Sequence, residues 1–357
     1  MTTRAPERQE RPRLLAPFEG LRGFAALAVF IYHFHHVAGL DALTALAPGF
    51  FGSGWVFVDV FFVLSGWVIA HVYADRLVTG SATLRNFFAA RIARLWPLHM
   101  TVLVAWFALA PALFGAPGVA SYAGCFGQLI TLSFTWGLLA CAAPVPPAWS
   151  ISAEMVAYMV FPVLVALGLT RNLRGGVMLL VAGLGGYLAM QAAWGGFHVY
   201  DGRAPLRAVA GFSIGAGLWR MERAGFLPSG RLQVVAAAAL IVGVASNAPP
   251  FALLLVSIFL IATLGDGTGP VARFLSSRPA MTLGRLSFGL YLWHWFAIAG
   301  LAALGAAATP IMALVAVLAV LGLAEVSYRL IEMPARERIK SVMGRSGQTV
   351  QATPHEG

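Results

Sequence analysis

Residues 19–36 read EGLRGFAALAVFIYHFHH. One arginine, Arg22, enters an otherwise membrane-grade apolar run, and the run closes on three histidines, His33, His35 and His36. If the stretch is helical, the eleven steps from Arg22 to His33 end ~20° past three full turns at ~100° each. The two side chains then share one face, roughly 16 Å apart along the axis at ~1.5 Å per residue. Such a helix lines one vertical groove, with a fixed charge at its mouth and an imidazole deep inside.

The rest of the chain extends the pattern. Its 357 residues are 59% hydrophobic and 11% charged, with a formal net charge of +10, and mean hydropathy is +0.79. Soluble domains carry ~25% charged residues, which excludes a soluble fold. Apolar runs near ~20 residues recur from end to end, the pattern of an all-α polytopic membrane protein. The first seventeen residues are polar and arginine-rich with no small-residue cleavage site, so no removable signal peptide is expected. The positive charge does not describe a nucleic-acid partner, because the arginines stand singly or in pairs between apolar runs, as a topology signal does. A single lysine, Lys340, against abundant Arg, Ala and Gly fits a GC-rich bacterial genome.

Ten spanning helices are expected, over roughly 22–40, 55–74, 95–114, 149–169, 175–194, 206–220, 232–247, 250–266, 281–303 and 310–332. Segment 125–142 is apolar but broken by Gly127, Gln128 and Gly137, and it is assigned to the outer face as a re-entrant or interfacial piece. The arginine-rich connections then fall on one side and only Arg203 and Arg207 on the other, so both termini are read as cytoplasmic. The expected organisation is a tail over 1–17, one membrane domain over 18–336 and a second tail over 337–357. Cys125 and Cys141 share the outer segment, where a disulfide and a pair of buried thiols both fit. His33, His35 and His36 alone do not make a metal site, and none is expected.

An ionisable group inside a spanning helix costs several kcal/mol unless paired or hydrated, so each is a functional candidate. The expected topology puts Arg22 at the cytoplasmic edge. His33, Asp59 in WVFVDVFFVLSGW, Glu154 in WSISAEMVAYMVFP and His294 in LSFGLYLWHWF then lie in the middle and outer half. Pairwise interhelical glue is one reading, worth ~0.6 kcal/mol per contact; convergence of all four on one cavity is the reading adopted. A histidine beside a carboxylate is a competent general base, because the carboxylate orients the ring and stabilises its charged form. FFAARIARLWPLH sets Arg91 and Arg94 one turn apart just before the third span. With Arg22 they form a cluster suited to phosphates, although an isolated RxxR is also what a plain topology anchor looks like.

Taken together, these segments resemble the acyltransferase 3 family of membrane-bound acyltransferases. RGFAALAVFIYH, with ten residues between Arg22 and His33, is similar to its opening signature, and VDVFFVLSGW to that of its second helix. Arg91 and Arg94 match its RxxR, WSISAEMVAYMVFP resembles its Trp-Ser-Leu-Ser-x-Glu segment, and LSFGLYLWHW with YRLIEMPAR resembles its C-terminal pair. The likeness runs from about residue 18 to 336. It departs after Glu154, where the family continues Glu-Glu-Gln-Phe-Tyr and this chain has Met155, Val156 and Ala157 before Tyr158. The SGNH hydrolase-like domain fused to some members has no counterpart, so a two-domain mechanism is not expected.

The resemblance implies transfer of an acyl group, usually acetyl from acetyl-CoA, to a hydroxyl of a carbohydrate or lipid-linked glycan, in the bacterial cytoplasmic membrane and among its lipids. Acyl-CoA is then a donor substrate, and no tightly bound cofactor is expected. Its phosphates would sit on Arg22, Arg91 and Arg94. His33 would deprotonate the acceptor, with Glu154 or Asp59 orienting the ring. Ser65, Ser150 and Ser152 are candidates for a covalent relay, against which stand the packing and capping roles usual for small hydroxyls. Tyr158, His294 and Glu332 complete the candidates. The rival class is a proton-coupled transporter using His33, Asp59, Glu154 and His294 as a relay; it has no inverted repeat and no use for the arginine cluster. A non-catalytic scaffold leaves the Arg22–His33 spacing unexplained.

Overall fold

The computed structural model describes residues 7–34, 37, 39–228, 230–339 and 341; His35, His36, Lys340 and nearly all of the expected C-terminal tail lie outside the described residues. Fourteen α-helices follow one another: α1 Glu7–His33, α2 Asp41–Leu46, α3 Pro48–Ser53, α4 Phe57–Val78, α5 Leu84–Phe114, α6 Phe126–Thr131, α7 Trp149–Ala166, α8 Leu173–Trp194, α9 Ala204–Arg223, α10 Gln233–Ala245, α11 Pro250–Thr263, α12 Pro270–Leu275, α13 Arg278–Leu304 and α14 Pro310–Ser327. No strand occurs among the described residues. Local chemistry sets several ends. Thr83, Asn172 and Thr309 cap α5, α8 and α14 by accepting from a backbone N–H three residues on. Gly115 and Gly195, at φ 65° and 70°, close α5 and α8 in the left-handed region.

Each of the ten expected segments contains a helix. Among the described residues, seven helices are long and apolar enough to cross a membrane. The other three fall short for separate reasons. α10 and α11 have 13 and 14 residues, about 20 Å at 1.5 Å each, against a hydrocarbon core of ~30 Å. α9 has 20 residues but carries Arg207, Arg220, Glu222 and Arg223. It is enclosed by neighbours, with almost every residue from Arg207 to Trp219 buried, and so has little need of a lipid-facing surface.

Several expected boundaries move. α1 begins at Glu7, inside the expected tail, and stops at His33 rather than near residue 40. α5 begins at Leu84, which puts Arg91 and Arg94 within the helix instead of ahead of it. Segment 125–142 holds only the six-residue α6, ended by Leu132 at φ 57°. Cys125 and Cys141 within it are disulfide-bonded, with Cα atoms 5.8 Å apart, so the free-thiol reading does not apply.

Glycine sets how closely the central helices approach. Gly66 meets the Phe212 backbone and Gly215 the Val63 carbonyl, which draws α4 onto α9. Gly176 and Gly217 do the same for α8 and α9, and Gly23 and Gly284 for α1 and α13. Small residues allow this contact because no Cβ holds the backbones apart. α1, α4, α5, α7 and α13 line one interior space.

Candidate functional site

A cavity of about 690 Å³ opens between these helices. α4 lines it from Phe61 to Arg76, fifteen steps or ~22 Å at 1.5 Å each, so the space is elongated along the bundle. One end is cationic: Arg22 of α1, Arg76 of α4, Arg91 and Arg94 of α5 and Arg336 after α14 all line it. The other end carries Ser150 and Glu154 of α7 and Tyr291 of α13.

The arginines are unequally neutralised. Arg22 pairs with Glu19 at 3.5 Å, and Arg336 with Glu332 at 2.7 Å, while Arg94 reaches Glu332 at 3.9 Å. Glu332 is buried behind the lining, on a π-helical turn over Tyr328–Glu332. A turn of this kind re-aims side chains relative to the α-helix before it. Among the described residues no carboxylate pairs with Arg76 or Arg91. The Arg91 guanidinium stands over the rings of Tyr73 and Tyr158, at 5.4 and 5.7 Å, and its buried Nε has no acceptor. Aromatic faces hold a guanidinium in place without cancelling its charge, so the cavity keeps an excess of positive charge suited to an anionic ligand.

Beside Arg91, Tyr158 donates to Glu154 Oε1 at 2.7 Å and sits 3.3 Å from the Ser65 hydroxyl. Ser150 and Tyr291 share a hydroxyl–hydroxyl hydrogen bond of 2.8 Å. The Tyr291 ring lies 5.9 Å from that of His294, and His294 Nε2 lies 3.1 Å from His33 Nδ1. The expected groove is therefore interrupted. Arg22 lines the cavity and His33 does not; Tyr291 and His294 stand between them.

The four intramembrane titratable groups separate into three settings rather than converging on one cavity. Glu154 lines it, and His33 and His294 form a pair beyond it. Asp59 is elsewhere: its carboxylate takes Arg207 Nε at 2.8 Å, Arg207 Nη2 at 2.7 Å and the Tyr187 hydroxyl at 2.7 Å. Both charges are fully buried, and the guanidinium is flanked by Trp55 and Trp149 at 5.1 and 5.2 Å. This arrangement commits three acceptor positions of Asp59 to Arg207 and Tyr187, a setting separate from the histidine pair. It also moves Arg207 from an outer connection to the interior. Ser152 is likewise engaged: its hydroxyl oxygen accepts from Thr135 N and Oγ1, tying the irregular segment 125–142 to α7.

Sequence reading passed over Arg76, Arg336 and Tyr291 as site residues. One signal was present: Ser65 and Arg76 are eleven residues apart, the spacing that puts Arg22 and His33 on one helix face. For Arg207 the signal was its sign, an arginine on the side that topology leaves nearly empty of them.

Residues 16–329 match the family model described as the acyltransferase domain. Over 368 residues the chain is 25% identical to the peptidoglycan O-acetyltransferase OatA of Listeria monocytogenes, covering 89% of this chain and 55% of that protein. The O-acetyltransferase OatA of Staphylococcus aureus is also 25% identical, over 93% of this chain and 59% of its own length. The chain thus spans somewhat over half of each. Protein 2 in the picA locus of Rhizobium radiobacter is 34% identical over 172 residues, 43% of this chain and 83% of that one. No solved structure matches.

Proposed function

The chain belongs to the acyltransferase 3 family, and from that premise we propose that it is a multi-pass O-acetyltransferase of the bacterial cytoplasmic membrane. It takes an acyl group, acetyl foremost, from cytoplasmic acyl-CoA and passes it to a hydroxyl of a glycan on the outer side. The relatives named for O-acetyl transfer, one of them to peptidoglycan, supply the acceptor class.

The observation that carries this reading is the elongated cavity with five arginines at one end and hydroxyl groups at the other. A CoA phosphate fits Arg76 and Arg91, the two cations without a carboxylate partner, with Arg22 and Arg94 beside them. The donor's arm then follows the α4 face toward Ser150 and Tyr291. Acceptor oxygen and thioester carbon meet at the level of Tyr291 and His294. His33 takes the hydroxyl proton, the C–O bond forms as the C–S bond breaks, and the CoA thiolate recovers the proton. Transfer is direct, with no stable acyl-serine. A transporter's proton relay finds no support, because Asp59 is closed in its own ion pair.

The test is acetyl incorporation from labelled acetyl-CoA into cell-wall glycan by protein in proteoliposomes, with binding of a CoA analogue as the control for folding. His33→Ala is expected to lose transfer by the ~10²–10⁴-fold typical of general-base catalysis, while binding persists. Arg91→Lys keeps the charge and loses the fork, and is expected to raise the acetyl-CoA KM about tenfold. Full transfer by His33→Ala would overturn the reading, as would substrate accumulation without CoA consumption.

A further inference from the structure

The pair formed by His33 and His294 assigns its own protons. His33 Nδ1 lies 2.9 Å from the Val29 carbonyl oxygen and 3.1 Å from His294 Nε2. A carbonyl oxygen only accepts, so His33 Nδ1 carries the hydrogen and shares it between the two. In a neutral ring the unprotonated nitrogen of His33 is then Nε2, the form a general base requires. With that proton on His33, His294 Nε2 is the acceptor, and the neutral His294 proton is on Nδ1, a buried atom with no hydrogen-bond partner among the described residues.

We propose that His294 is the positioning residue of His33, filling the place that a carboxylate holds in a histidine–carboxylate pair. The inference rests on the reading of His33 as the base. The side chain is held for the purpose: His294 is fully buried, and its ring packs against Phe30 of α1 at 5.3 Å and Tyr291 of its own helix. α1 and α13 approach through Gly23 and Gly284, which fixes the distance between the helices that carry the two imidazoles. The acid of α4 is engaged elsewhere, since Asp59 is bound by Arg207 and Tyr187. When His33 Nε2 takes the acceptor proton, the ring becomes a cation whose Nδ1–H points at the His294 lone pair. That hydrogen bond strengthens as the charge develops, so it favours the transition state over the ground state. A neutral partner also avoids burying an extra negative charge in the membrane.

Two variants and one spectrum test this. His294→Leu fills the space without an acceptor, and His294→Gln offers Oε1 at about the height of Nε2. His294→Leu is expected to lower kcat about 10- to 100-fold, a part of the general-base contribution, with the acetyl-CoA KM unchanged. His294→Gln is expected to recover most of that loss, although Leu is the better apolar filler. Equal kcat in both variants, or normal kcat in His294→Leu, would reduce His294 to packing. Independently of activity, magic-angle-spinning NMR of ¹⁵N-histidine-labelled protein should show a through-hydrogen-bond correlation between two imidazole nitrogens that vanishes in His33→Ala. Its absence from the wild-type spectrum overturns the pairing whether or not the protein transfers acetyl. Its presence in a protein that transfers none would keep the pairing and remove the proposed reaction instead.

Discussion

Asp59 and Arg207 are both fully buried, and each supplies what the other lacks: two guanidinium donors meet both carboxylate oxygens, and Tyr187 adds a third bond. Removing one partner of such a pair leaves an uncompensated charge, at a cost of about 3–5 kcal/mol, whereas replacing both with apolar residues of similar volume is often neutral. Asp59→Leu is therefore expected to lower the thermal midpoint in detergent sharply, and Asp59→Leu with Arg207→Met to restore most of it. A double variant as unstable as the single one would give the pair a role beyond mutual neutralisation. The contrast with Arg22 and His33 shows what a sequence reveals of single residues. Their common face follows from spacing along one helix, and so was legible. The partners of Asp59 and His33 come from helices far away in sequence, and periodicity carries no information about which distant helix lies opposite.

At the scale of helices, hydropathy placed a helix in each expected segment, α9 included, although α9 is enclosed by protein and is less apolar than a lipid-facing helix needs to be. The bounds of α1 were missed because helix geometry continues through polar residues, and apolarity does not report where hydrogen bonding starts. Register within α1 is the testable feature. Inserting one Ala between Val29 and Phe30 rotates everything beyond it by ~100° and advances it ~1.5 Å. Arg22 stays in the cavity lining, while His33 turns away from His294 and keeps only the contact that its own helix supplies, to the carbonyl four residues back. Acetyl transfer is expected to fall to the level of His33→Ala, with CoA-analogue binding kept. Loss of both together would mean that the insertion disrupts the α1–α13 contact at Gly23 and Gly284 rather than the histidine alone.

Across the whole molecule, two ends can be told apart. Gly20 of α1 packs on the Leu275 backbone of α12, and Thr268, just before α12, accepts from Gln233. That end also holds Arg22, Arg76, Arg91, Arg94 and Arg336 around the cavity. At the other end Gly202 lies against Gly137, in the segment that carries the Cys125–Cys141 bond. In the proposed topology the arginine-rich end faces the cytoplasm, as the positive-inside rule favours, and the disulfide lies on the oxidising side, where such bonds persist. The two criteria are independent and support the same orientation. Arg207 is no exception to the first, since it is buried against Asp59 instead of lying in an outer connection. In intact cells, a cysteine introduced at Thr268 is expected to resist a membrane-impermeant maleimide until the membrane is opened. One at Gly202 should react directly, and the native pair should react only after reduction. Labelling of Thr268→Cys from outside would invert the molecule, and the arginine end of the cavity would then face away from the compartment in which acyl-CoA is made.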